Sequence, residues 1–122
     1  MDDLAAIARE GLPGPQRKAK RLLDAKGIAE TAERMWLESV KPYLPNEGGF
    51  AFEVPLFPRA EHVLDRESVP DHTWQKIWGY TQDLTRARRT YISLLGQAIK
   101  DPILGVLPSV RTAHSAIPEE YR

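Results

Sequence analysis

The most noticeable polar features of the chain are two clusters of cations, and the chemistry they suit is neutralising phosphate. Arg17, Lys18, Lys20 and Arg21 fall within five residues, and Arg86 and Arg89 stand about one helical turn apart further along. On a helix, Arg17, Lys20 and Arg21 turn away from Ala19, Leu22 and Leu23. Arg86 and Arg89 join a polar stripe with Gln75, Gln82, Ser93, Gln97 and Lys100. Guanidinium and ammonium groups contact phosphate oxygens, while Gln and Ser can reach sugar or base edges, so both clusters are candidate nucleic-acid contacts. An ordinary solvated helix face has the same composition. Lys plus Arg and Asp plus Glu number 17 each, so no global field draws the chain to a polyanion.

A helix-turn-helix can be laid over residues 19–36, with Gly27 in the turn and Ile28 opening the second helix. Two features oppose it. Glu33 falls where the second helix should turn an apolar residue to the first, and the outer surface of Glu30, Thr31, Arg34 and Glu38 would repel phosphates.

Arg88 is out of place in a different way. By helical angle it sits in the apolar stripe of its helix, between Leu84 and Leu95. A buried guanidinium without a partner costs several kcal/mol. It is therefore expected either to pair with a loop carboxylate such as Glu53 or Asp65, or to meet a partner at an interface, where arginine is enriched.

Other chemistries have little support. Without cysteine there is no disulfide, thiol nucleophile or thiolate zinc site. His62, His72 and His114 are too scattered for a metal motif, although Glu61, His62 and Asp65 share one turn and Asp71 adjoins His72. Ser39, Ser68, Ser93, Ser109 and Ser115 lack a nucleophile elbow, and neither glycine-rich stretch matches a phosphate loop. No catalytic residue, metal or cofactor is assigned, and the expectation is a protein that is not an enzyme.

The aromatic residues suggest binding. Trp74 and Trp78 are one helical turn apart, and Phe50, Phe52 and Phe57 line the stretch 50–57. Core packing accounts for most aromatics in a domain, but a small domain rarely hides every one, and surplus apolar surface marks an interaction site. Helix packing through the Trp74 face, or strand addition through 50–57, would bury it.

The elements that must carry these residues are mainly helical. The patterning predicts three short helices over 1–41, ended by Gly11–Gly14, Gly27 and Lys41-Pro42. Asp2 or Asp3 is the expected N-cap of the first. A Pro/Gly-rich loop or arm follows over 42–70, holding five of the ten prolines and five carboxylates against two arginines. Within it, near 43–58, Phe50, Phe52, Val54 and Leu56 alternate as in a short edge strand or extended arm. The strongest element is a long helix over 71–100, with Asp71 as its N-cap and Trp74, Ile77, Trp78, Leu84, Tyr91, Leu95 and Ile99 on one side. At about 45 Å it is too long for a compact domain of this size, and so should overhang, bend or pack on another chain. A C-terminal tail over 101–122 completes the chain.

The sequence thus predicts a single helical domain over 1–122, a small bundle of about four helices around one core. No apolar run approaches a signal-peptide core or a membrane span, so a cytoplasmic location without membrane contact is expected. The leading functional expectation is a protein-interaction module of the inhibitor, adaptor or assembly-subunit type, a class that includes small proteins of phages and mobile elements. It would dock on a partner protein or on itself through Trp74, Trp78, Arg88, Phe50, Phe52 and Phe57. The alternative is a nucleic-acid-binding domain using Arg17, Lys18, Lys20, Arg21, Arg86 and Arg89, and a second alternative is an enzyme whose site is not visible in the sequence, sought in the acidic loop with His62 and His72.

Overall fold

The computed structural model describes residues 1–44 and 56–122, apart from the Val63 side chain. The chain is mainly helical. Its helices are α1 (Asp2–Glu10), α2 (Pro13–Val40), α3 (Ala60–Val63), α4 (Asp71–Ile99) and α5 (Pro108–Ser115), with single 3₁₀ turns at Lys41–Tyr43, Arg66–Ser68, Leu104–Val106 and Glu119–Tyr121. There is no strand among the described residues. The arm expected near 43–58 falls mostly on 45–55, outside them, and Phe50 and Phe52 lie there as well.

Three short helices were expected over 1–41, and two are found. α2 continues from Pro13 to Val40 through Gly27, which removes the turn that a helix-turn-helix over 19–36 needs. Glycine inside a helix costs about 1 kcal/mol relative to alanine but breaks no backbone hydrogen bond. Burial of Leu22, Ala25 and Ala29 on either side offsets that cost. The helix starts differ from expectation too. α1 begins at Asp2 behind Met1, which makes no side-chain cap, and Asp71 is the first residue of α4 rather than its cap.

The chain divides into two compact units. One comprises Met1–Ile28 with Arg89–Arg122, the other Ala29–Arg88. In the first, Leu4 and Ala8 of α1, Ala19 and Leu22 of α2, and Leu95 and Ala98 of α4 are buried together with Leu104, Val110 and Ile117. Each helical pair is three or four residues apart, the spacing that puts side chains on one face. The segment expected as a tail thus supplies three core residues. A close turn permits this: a Cβ on Gly105 would run into the backbone carbonyl of Ile99.

In the second unit, Trp36 and Val40 of α2 are buried with Ala60, Leu64, Val69, Ile77 and Leu84. The Trp36 indole N–H donates to the Thr81 hydroxyl at 2.9 Å, and that hydroxyl donates to the Ile77 carbonyl at 2.7 Å. No buried side-chain nitrogen or oxygen among the described residues lacks a partner.

Gly27 is exposed, and nothing lies within 4 Å of the position its Cβ would occupy. Gly27→Ala is therefore expected to stabilise the protein by about 0.5–1 kcal/mol, read as a higher urea midpoint. A lower midpoint would mean that α2 bends at Gly27 after all.

Candidate functional site

Among the six residues expected to face a partner, α4 carries three. Of the expected residues that the structure describes, Trp78 is the most open, 47% exposed. Trp74, one turn earlier, is half-buried against the second core cluster. The Arg66 guanidinium lies 4.9 Å from the centre of the Trp74 ring, a cation–π distance, and pairs with Asp71 at 2.6 Å. Trp74 is thus held from several sides, whereas Trp78 has solvent over much of its indole. Phe57 is half-buried and engaged with a neighbour.

Arg88 is structural. Its side chain is only 12% exposed, and it reaches the Glu33 carboxylate at 3.2 Å. It also donates to the Leu56 carbonyl at 2.7 Å. The partner expected for it was Glu53 or Asp65. Glu53 lies outside the described residues, and the Asp65 carboxylate is occupied in its own turn, accepting from the Glu67 N–H and the Ser68 hydroxyl. Glu33 is the α2 carboxylate that the spacing left on an apolar face. The two misplaced charges therefore answer each other.

The cationic clusters are only partly available. Arg17, Lys20 and Arg21 are exposed on α2. Lys18 is not part of that face, because its ammonium reaches Asp101 at 2.8 Å. Arg86 is exposed 4.0 Å from Asp83 on its own helix, and Arg89 is exposed but engaged. Arg86 belongs to the second unit and Arg89 to the first, as do Arg17–Arg21.

Two carboxylates hold the chain crossings of the first unit: Asp101, which the sequence did not single out, and Asp3, which it offered only as a helix cap. Asp101 accepts from the Ile103 and Leu104 N–H groups at 2.8 and 3.0 Å as well as from Lys18. The Lys18 bond, with those two N–H donors, holds its pKa down to about 2, below the ordinary 3.8. Asp3 accepts from the Ser109 hydroxyl and N–H, which ties α1 to the first turn of α5 and lowers its pKa also. No group of three or more His, Asp or Glu among the described residues is arranged to hold a metal ion, and no described helix is long and apolar enough to cross a membrane.

Two predictions follow from these charges. The Asp101 pKa is depressed on folding, so its contribution is complete above the unfolded value of 3.8 and is lost as pH falls towards about 2. Asp101→Asn should flatten the acid limb of stability between those values, checked by urea midpoints across pH; an unchanged limb would assign it to other carboxylates. Arg88→Met removes the charge but keeps the apolar stem, and should cost about 1–3 kcal/mol through the lost bonds to Glu33 and Leu56. A neutral result by the same measurement would show the Glu33 pair to be dispensable.

No family model matches the chain, and neither a curated protein nor a solved structure was found similar to it.

Proposed function

We propose that this protein acts without catalysis, as a module that docks on a partner protein through the outer face of α4 in the second unit. The observation that carries the reading is the exposure of Trp78. Of the three tryptophans, Trp36 is fully buried and Trp74 is half-buried, while Trp78 remains 47% exposed beside the fully buried Ile77. An indole offers a large apolar area with few rotatable bonds, and its burial at an interface is worth several times that of an average contact residue.

The neighbours of Trp78 support the same reading. Gln75 and Gln82 stand three residues before and four after it, Arg86 a further turn on, and all three are exposed. An aromatic anchor with a polar rim is the usual anatomy of a docking patch. Trp74 would contribute only its open edge. Arg88 is left out because it is committed to Glu33 and Leu56.

A photoreactive side chain placed at Gln82 tests the reading in cells. A discrete cross-linked species is expected, and Trp78→Ala should reduce its yield about tenfold, equivalent to about 1.4 kcal/mol of binding. The same substitution should leave the urea midpoint within about 0.5 kcal/mol of the parent, as is usual for an exposed position. A cross-link indifferent to Trp78→Ala would remove the proposal, and collapse of the fold would return Trp78 to the core.

A further inference from the structure

We propose that the partner docked at Trp78 is a second copy of this chain, its α4 lying antiparallel to the first about a two-fold axis between Trp78 and Gly79. The inference rests on the docking reading above and names the partner.

The order of residues along the outer face of α4 carries it. Trp78 is a ridge, and Gly79 beside it is a notch: nothing lies within 4 Å of the position that a Gly79 Cβ would take. Gln75 stands three residues before Trp78 and Gln82 three after Gly79. Asp71 stands seven before Trp78 and Arg86 seven after Gly79. Asp71, Gln75, Trp78, Gln82 and Arg86 are all exposed, and steps of three and four residues keep them on one side of the helix.

Such a face is its own complement. In a two-fold contact, residue i of one copy meets residue j of the other while j meets i. About the proposed axis each indole enters the notch of the other copy, Gln75 meets Gln82, and Asp71 meets Arg86. Every match therefore occurs twice. Two parallel copies in register would instead set Arg86 against Arg86 and Asp71 against Asp71, and facing like charges repel. An unrelated partner would need only the indole. It gives no reason for an acid and a base to stand at equal distances on either side of the ridge and notch.

Both end charges are open to a second chain. Asp71 pairs with Arg66 through Oδ1, yet its side chain is 89% exposed. Arg86 lies 4.0 Å from Asp83, beyond hydrogen-bond length, and its side chain is 78% exposed. All six residues belong to the second unit, so the contact needs nothing from the first. A contact of about four helical turns covers less than the ~800 Å² per partner of a standard interface, so the dimer is reversible, with Kd about 10–100 µM.

Sedimentation velocity of the full chain from about 5 to 500 µM is the test, and the weight-average coefficient should rise from monomer towards dimer. Trp78→Ala should weaken the dimer at least tenfold. Gly79→Leu should do the same by filling the notch, while leaving the urea midpoint no lower, because its side chain enters open space. Asp71→Arg and Arg86→Glu should each weaken self-association at least tenfold, since each sets like charges opposite one another. An equimolar mixture of these two variants should dimerise again, because every facing pair in the mixed dimer is of opposite charge. Changes confined to one chain, such as the loss of the Arg66 pair, persist in the mixture and cannot produce that recovery. Circular dichroism checks that each variant folds; if Asp71→Arg does not, Gly79→Leu and Arg86→Glu decide. A monomer at every concentration, a dimer indifferent to these changes, or a mixture that stays monomeric would overturn the proposal. A cross-link from Gln82 that depends on Trp78 but whose mass is not twice that of the chain would also overturn it, while leaving the docking reading intact. Loss of both dimer and cross-link would remove the two together.

Discussion

A helix of 29 residues is about 44 Å long, and its apolar stripe must be covered wherever it is to be buried. α2 and α4, at 28 and 29 residues, both meet this constraint in two steps. α2 gives Ala19 and Leu22 to one cluster and Trp36 and Val40 to the other; α4 gives Ile77 and Leu84 to one and Leu95 and Ala98 to the other. The short elements complete these clusters. α1, α5 and the Leu104–Val106 turn finish the first, and α3 with Leu64 and Val69 finishes the second. No single core has to cover the whole of either long helix.

Polar links then fix each unit internally. In the first, Asp3 joins α1 to α5, and Asp101 joins the end of α4 to α2 through Lys18. In the second, the Trp36–Thr81 bond ties α2 to α4 inside the core, and Arg88 joins Glu33 to the backbone at Leu56. These bonds specify geometry more than they add stability. A half-buried ion pair recovers little beyond its own desolvation, but removing one partner leaves a charge where water is scarce.

The same accounting separates structural residues from those available for function. Arg88, Lys18 and Trp74 are spent on the fold, while Trp78 and the Arg17, Lys20 and Arg21 face are not. An exposed indole gains by losing water to another apolar surface.

The sequence by itself determined that the chain is mainly helical, because periodicity and breakers are local. The long helix over 71–100 appears as Asp71–Ile99. It also exposed both misplaced charges, Glu33 and Arg88, since each interrupts an apolar stripe. It could not join them, because nothing local says which of several carboxylates will come within reach of Arg88. The persistence of α2 through Gly27 was also beyond it: a cost near 1 kcal/mol is decided by burial on either side, and burial depends on segments far along the chain. For the same reason only the tertiary structure separated the buried residues into two clusters, brought Lys18 to Asp101 and Trp74 to the second cluster, and left Trp78 with Arg17, Lys20 and Arg21 exposed.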